Sequence, residues 1–179
     1  MLDSEKLGQA IEEIYELYYL DVYRFLICFT GNQNDAEDLT QEVFMRVLKS
    51  YSNFNNQSNI KTWILSIAKH AAVDQIRKRK FYSIFKESFF KHIASNQKSP
   101  YESLQINENK KLLHEAISKL KPDYRAIIIL RGINEFSIKE TAKILECKES
   151  KVKVDYHRAL SILKKKLHFT SEEVFNNAN

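Results

Sequence analysis

The sequence predicts an all-α protein of two small helical domains joined by a linker. Gly and Pro are rare, with 3 and 2 occurrences in 179 residues, and the tight turns of a β-sandwich or β-barrel depend on those residues. Apolar side chains recur at three- and four-residue steps, which is the period of an α-helix. Hydrophobic residues make up 44% and charged residues 28% of the chain, as in globular proteins.

Two amphipathic helices are predicted at the start of the chain. The first runs from about residue 7 to residue 29, with apolar side chains on one face. A break at 31–34 follows, and Asn34 or Asp35 is a suitable N-cap for the second helix. The second helix continues to about Tyr51, and acidic side chains in its first turn suit the positive end of the helix dipole.

A third helix completes the predicted first domain, which we place at residues 1–80. It follows a polar loop over 52–59, starts near Ser58 and ends in the cationic run 77–80. Residues 81–107 lose the clear periodicity, although Phe81, Phe85 and Phe89 allow a short helix. We interpret 81–107 as the linker.

The second domain is predicted at 108–170, followed by a tail at 171–179. A helix is expected from about Glu108 to Leu120. Pro122 fits the first turn of the next helix, and Gly132 is a suitable residue to end it.

A helix-turn-helix is the most informative predicted unit. Ser137 and Glu140 form a capping-box pattern ahead of a short helix, because each side chain can bond a free amide at the helix start. A turn near Cys147 separates this helix from a long amphipathic one whose outer side is basic. This arrangement is typical of DNA-binding helix-turn-helix units, although an ordinary helical hairpin has a similar pattern.

Charge is divided unevenly along the chain. Residues 1–58 carry 4 basic and 10 acidic side chains, whereas 69–91 carry 7 basic and 2 acidic ones. Residues 138–168 carry 9 basic and 4 acidic side chains. Two basic blocks and one acidic block indicate two contacts with a polyanion and one with a basic surface, unless these faces are merely solvated.

Catalysis is not indicated by any motif. Serine-nucleophile, phosphate-loop and histidine-glutamate metal motifs are absent from the sequence, and we expect no enzyme activity, cofactor or metal. The acidic cluster at 35–42 has no histidine partner, so a docking face is favoured over a metal site. Cys28 and Cys147 lie far apart, and no signal peptide or membrane span is visible; we expect a cytoplasmic, reduced protein.

The motifs resemble the sigma-70 superfamily of RNA polymerase sigma factors. Residues 35–44, DAEDLTQEVF, resemble the helix that binds core polymerase. Residues 62–68, TWILSIA, with Asp74 and Arg77, resemble the helix that melts and reads the −10 element. Residues 136–142 and 150–159 resemble the −35-reading helix-turn-helix. The whole is similar to an extracytoplasmic-function (ECF) sigma factor, most of all the sigma-X type.

The resemblance implies a function in transcription initiation at −10/−35 promoters, in a cell-envelope stress response. It implies as partners promoter DNA, the β′ clamp helices and β flap of core polymerase, and a membrane-bound anti-sigma factor. The implied polymerase-binding residues are Asp35, Glu37, Asp38, Gln41, Glu42 and Phe44. The implied −10 residues are Asn55, Ser58, Lys61, Trp63, His70, Asp74, Arg77, Lys78, Arg79 and Lys80. The implied −35 residues are Ser150, Lys151, Lys153, Val154, Asp155, His157 and Arg158.

Several positions depart from the family pattern, including Glu146 in the turn, where Gly or Asn is usual, and the aromatic, basic linker residues 81–91. His70 stands where many members have Asn, and Val154-Asp155 stands where many have Ser-Arg. Helical geometry predicts that Asp155 points outward, where a carboxylate can accept a hydrogen bond from a cytosine amino group. Val154 would instead touch a thymine methyl group.

The sequence also allows two other classes of protein. A stand-alone helix-turn-helix regulator would bind operators without polymerase, and it would not need the acidic N-terminal helix. A purely structural helical protein would show no salt-sensitive DNA binding.

Overall fold

A computed structural model describes residues 4–54, 59–89 and 108–176 of the chain. Within these ranges the chain is helical and contains no β-strand, which confirms the predicted all-α class. The α-helices are α1 (Ser4–Thr30), α2 (Gln33–Ser50), α3 (Ile60–Phe89), α4 (Glu108–Ser118), α5 (Pro122–Ile128), α6 (Ile138–Ile144) and α7 (Glu149–Asn176). A 3-10 turn spans Tyr51–Asn53, and a π-helical turn spans Ile129–Ile133. None of the described helices has the length and apolarity needed to cross a membrane.

Helices α1, α2 and α3 pack around one apolar core in the first half. Its fully buried side chains include Phe25 and Phe29 of α1, Val43 of α2 and Ile64 of α3. The predicted N-cap of α2 was wrong, because Asn32 caps this helix and its Oδ1 accepts a bond from the Asp35 backbone N at 3.0 Å. Asn34 and Asp35 lie inside the helix.

Helix α3 is longer than the sequence predicted. It continues past the cationic run to Phe89 as one helix of 30 residues. No Gly or Pro occurs between 60 and 89, and Lys and Arg are good helix formers, so nothing ends the helix at residue 80. The first part of the predicted linker is therefore helical, whereas residues 90–107 lie outside the described residues.

The short helix α5 begins as predicted, with Pro122 in its first turn. It does not run regularly to Gly132. A π-helical turn follows Ile128, and Gly132 lies within that turn rather than at a C-cap. The left-handed residue here is Glu135, with φ of 57°, and the Phe136 backbone N then bonds the Leu130 carbonyl at 2.9 Å.

The helix-turn-helix is formed by α6 and α7. The capping box is present: the Ser137 hydroxyl accepts from the Glu140 backbone N at 3.2 Å, and the Glu140 carboxylate accepts from the Ser137 backbone N at 2.8 Å. The turn uses Glu146 in the left-handed region, with φ of 54°, and the Cys147 backbone N bonds the Ala142 carbonyl at 2.9 Å.

Removing the cap of α6 should weaken the second half. We expect Ser137→Ala to lower the free energy of unfolding by about 1 kcal/mol, because a helix-start amide loses its acceptor. Ser118→Ala is the matched control, since its exposed hydroxyl only donates to the Glu115 carbonyl. Urea unfolding followed by circular dichroism measures both. Equal effects of the two substitutions would contradict a specific contribution of the capping box.

The two halves of the chain share apolar core. Side chains of α5, the π-helical turn, the segment after that turn and α6 are buried in one cluster with those of α1, α2 and α3; they are Ala126, Ile129, Leu130, Phe136 and Ile144. A second cluster holds α4, α5 and α7 together. The second half therefore packs directly on the helices of the first.

Candidate nucleic-acid interface

The acidic side chains of α2 line a shallow surface beside α3. Asp38 and Glu42 face Asp74 and Lys78 across a small cleft. Glu42 pairs with Arg46 one turn later, and Asp35 pairs with Arg79 of α3. The predicted polymerase-binding and promoter-binding residues thus meet at an ion pair.

Apolar side chains adjoin this acidic surface. Gln41 is exposed and Glu37 half-buried, whereas Phe44 is only 7% exposed and its ring packs edge-on against Tyr15 at 4.8 Å. The predicted contact at Phe44 is therefore covered by Tyr15. Tyr15, Met45 and Leu48 are exposed nearby and were not identified from the sequence. The spacing of Tyr15 and Leu48 fits the predicted apolar stripes of their helices, and nothing in the pattern around Met45 indicated a binding surface.

Aromatic side chains surround the start of α3. Trp63 is half-buried, and its ring lies 4.7 Å from that of Phe54, so it combines core packing with an accessible face. Lys61 pairs with Asp21 of α1 at 2.9 Å, and its ammonium lies 5.3 Å from the ring of Phe136. Asn55 and Ser58 lie outside the described residues.

The cationic run of α3 is exposed on all sides. Arg77, Lys78, Arg79 and Lys80 all lie at the surface, and so do Phe81 and Tyr82 in the next turn. Arg77 lies 3.8 Å from Asp74. Since exposed ion pairs are weak and readily exchanged, Arg77 is available to phosphates together with Lys78 and Lys80, whereas Arg79 is paired with Asp35, whose side chain is only 17% exposed.

The second half covers part of the predicted −10 surface. Phe136 lies against Lys61, and Glu146 lies 3.7 Å from the Nε2 of His70. The hydrogen bonds from Ser137 are the main cause that lowers the pKa of Glu140, and the nearby positive charge of Lys61, across this contact, contributes in the same direction.

A second contact joins α4 and α5 to the end of α1. Arg125 donates to the Phe29 carbonyl at 2.9 Å, with its guanidinium 5.2 Å from the Phe29 ring. His114 packs against Gly31 so closely that an added Cβ would lie 2.0 Å from its Nε2. Gly31 also has φ of 69°, so both space and backbone require glycine here. Burial, with Arg125 adding repulsion, lowers the pKa of His114.

Acidification should loosen this contact. A histidine whose pKa is lower in the packed state stabilises packing at neutral pH, and this contribution is lost as pH falls below its ordinary value of about 6.5. The charged groups that also act on His114 are Arg125 and Glu115. We expect the radius of gyration, measured by small-angle X-ray scattering, to increase as the pH is lowered from 7.5 to 5.5. His114→Gln should not respond, and an equal response in that variant would contradict the role of His114.

The outer face of α7 is accessible. Ser150, Lys151, Lys153, Val154, His157 and Arg158 are all exposed, as predicted for a groove-facing helix. Asp155 is a correction, because its side chain is only 7% exposed and pairs with Lys151 and Arg158. It faces inward because the buried face of α7 is wider than the sequence stripe of Val152, Tyr156 and Ala159 suggested.

Neither thiol is set up for reactivity, and the described residues hold no cluster of metal-ligating side chains. Both cysteines are free, and burial is the main cause that raises the pKa of Cys28 and of Cys147. A raised pKa keeps each thiol protonated and weakly nucleophilic.

Comparison with known proteins matches both halves. The Sigma-70 region 2 family model matches residues 14–82, and the Sigma-70 region 4 model matches 110–163. The ECF RNA polymerase sigma factor SigX of Bacillus subtilis is 38% identical over 174 residues, spanning 95% of this chain and 90% of SigX. The chain belongs to the ECF sigma factors of the sigma-70 superfamily. The region 2 match excludes a stand-alone helix-turn-helix regulator.

Other relatives and a solved structure agree with this family. The sigma factor YlaC of Bacillus subtilis is 32% identical and covers 94% of this chain and 98% of its own length. The sigma factor RpoE of Bartonella quintana, solved in complex with the anti-sigma factor NepR, superposes with a TM-score of 0.69 at 26% identity. That match covers 89% of this sigma factor and 98% of RpoE.

Proposed function

We propose that this sigma factor recognises −10/−35 promoters through two separate surfaces, with no catalytic activity of its own. The accessible basic face of α7 carries the proposal, since it exposes three cations and Val154 on the second helix of a helix-turn-helix. Exposed Lys and Arg side chains can bind phosphates, which position the helix, or guanine edges, which supply specificity. The proposed −35 domain spans 108–170, and the proposed tail at 171–179 begins within α7, which continues to Asn176.

The −10 element is proposed to bind residues 1–80, along α3. Trp63 and Phe54 offer adjacent rings, tilted by 32° to each other, at the start of the helix, and stacking on an aromatic ring stabilises an unpaired base. The cations at 77–80 are placed to bind phosphates, each adding a salt-dependent increment to affinity. Asn55, Ser58, His70 and Asp74 complete the proposed surface.

Core polymerase is proposed to bind the acidic surface of α2 through its β′ clamp helices. Asp38, Gln41 and Glu42 carry this contact, with Asp35 and Glu37 at its edge and Tyr15, Met45 and Leu48 as its apolar border. An acidic surface with an apolar border is complementary to a basic helical partner. The second domain would contact the β flap.

An anti-sigma factor anchored in the membrane is the proposed regulator, in a cytoplasmic response to cell-envelope stress. RpoE, at 26% identity, was solved in complex with an anti-sigma factor, which supports regulation by a protein of that class. The proposal fits a chain whose two halves already pack together over the −10 surface.

Run-off transcription tests this function. Core RNA polymerase of Bacillus subtilis is incubated with a promoter library, randomised at the −10 and −35 positions, with and without the sigma factor. We expect transcripts only with the sigma factor, from a subset that shares sequence in both elements. Transcripts from promoters sharing no sequence would contradict promoter recognition.

A further inference from the structure

Asp155 is the one charged residue that is buried in the described part of the chain. It lies two turns into α7, and its neighbours Lys153 and Val154 are exposed. A buried carboxylate is strongly unfavourable unless cations and hydrogen bonds compensate for its lost hydration. The burial of Asp155 therefore requires its pairing partners to stay in place.

Both partners lie on the same helix. Lys151, one turn before Asp155, donates from its Nζ to Oδ2, while the Nη1 of Arg158, one turn after, lies 3.8 Å from Oδ1. The Lys151 and Arg158 side chains are 59% and 66% exposed. Their charged groups are thus held at a buried carboxylate, while their outer sides face solvent.

The Lys151 side chain is held by Asp155, and its backbone is anchored to the turn before α7. The backbone N of Lys151 bonds the Lys148 carbonyl at 3.0 Å. The hydrogen bond from Lys151 to Asp155 is the main cause that raises the pKa of Lys151, so its ammonium is stabilised. Fixing a long side chain before binding reduces the conformational entropy lost on binding.

We propose that Asp155 is a positioning residue for −35 recognition, which contacts no base and holds Lys151 and Arg158 on the groove-facing side of α7. The inference rests on the proposed function of α7. Removing the carboxylate frees both cations to bind phosphates at any sequence. Discrimination between −35 sequences should then fall, while affinity for unrelated DNA stays equal or rises.

The test uses the full-length chain with Bacillus subtilis core polymerase and a promoter library randomised at the −35 element. Asp155→Asn keeps the side-chain shape and removes its charge. Discrimination is measured as the ratio of transcription from the best −35 sequence to that from a scrambled one. We expect this ratio to fall about tenfold, through weaker selection at the base pairs that Lys151 and Arg158 contact. Lys153→Gln is the matched control, because Lys153 is exposed on the same helix; it should weaken all promoters alike.

A double-mutant cycle separates positioning from a general effect of charge. If Asp155 acts through Lys151, the effect of Asp155→Asn should shrink at least threefold in a Lys151→Met background, since contacting residues are not additive. In a Lys153→Gln background it should be unchanged. If Asp155→Asn does not fold, Lys151→Met and Arg158→Met test the same contacts from the exposed side, and each should reduce discrimination.

If the wild-type protein selects −35 sequences in this assay, three results for the variants would overturn the inference. Loss of preference at a single cytosine, with no coupling to Lys151, would make Asp155 a base reader. A uniform rise in transcription from all promoters would make it only a repulsive charge. Unchanged discrimination would remove any role. If wild type selects no −35 sequence, the proposed function of α7 fails instead.

Discussion

Opening the contact between the two halves should tighten binding of the free sigma factor to single-stranded −10 DNA by about tenfold or more. The packed arrangement places Phe136 against Lys61 and Glu146 beside His70, on the surface proposed to read the −10 element. When only a fraction of molecules is open, the apparent dissociation constant rises by the inverse of that fraction. Shifting the equilibrium towards the open form removes this loss.

Gly31→Ala is the sharpest opening variant. The added Cβ would lie 2.0 Å from Nε2 of His114 and 3.0 and 3.1 Å from two other atoms of the same ring, so the whole ring must move. The φ of 69° adds strain in the loop after α1. Gly132→Ala is the matched control, because its Cβ meets only the Tyr156 hydroxyl, at 3.6 Å. His114→Ala removes the ring without changing the Gly31 backbone and should open the contact less.

The two promoter elements distinguish opening from a general gain in affinity. The recognition face of α7 is already exposed in the packed arrangement. Binding of a −35 duplex should therefore be unchanged in Gly31→Ala, while binding of a −10 single strand rises. Fluorescence anisotropy at matched salt measures both probes. If both affinities rise together, or neither does, the packed halves do not control access to the −10 surface.

Local sequence rules predicted much of this fold because they act within a few residues. The capping box at Ser137 and the Pro122 helix start depend on neighbouring groups alone, and both are confirmed. The predicted N-cap of α2, Asn34 or Asp35, lies two or three residues after the observed cap at Asn32, and Asn32 and Asn34 carry the same side chain, so the sequence does not distinguish them. The end of α3 was predicted too early. A cationic run indicates exposure to solvent, and exposed residues of this kind occur in helices as readily as in loops.

Contacts between distant segments account for the remaining differences. The helical period placed Asp155 outward at the edge of a stripe, and only the packing of α7 on its neighbours decides that it is buried. The Asp35–Arg79 pair joins residues 44 positions apart. Packing of the second half over Lys61 likewise depends on tertiary contacts, which no local pattern around residue 61 or residue 136 contains.

Reversing the charge of the acidic α2 surface should abolish binding to core polymerase. Asp38 is exposed and Glu42 half-exposed beside it, and both border the cleft between α2 and α3. Removing one partner of an interfacial charge pair typically costs about 2–5 kcal/mol, and reversal adds repulsion. For Asp38→Arg with Glu42→Arg we therefore expect at least a hundredfold loss of affinity, about 2.7 kcal/mol.

The fold should survive this double substitution, because neither side chain is buried. Glu42→Arg does place two cations one turn apart, at positions 42 and 46, and a like-charge pair at this spacing costs roughly 0.2–0.5 kcal/mol. The matched control is Glu12→Arg with Glu16→Arg, since both are exposed on α1 at the same spacing and produce the same change in net charge. Biolayer interferometry on immobilised core polymerase should show binding lost in the α2 variant and retained in the α1 variant. Binding retained by the α2 variant with unchanged helical circular dichroism would contradict docking through this surface, and equal loss in both variants would indicate a general effect of net charge.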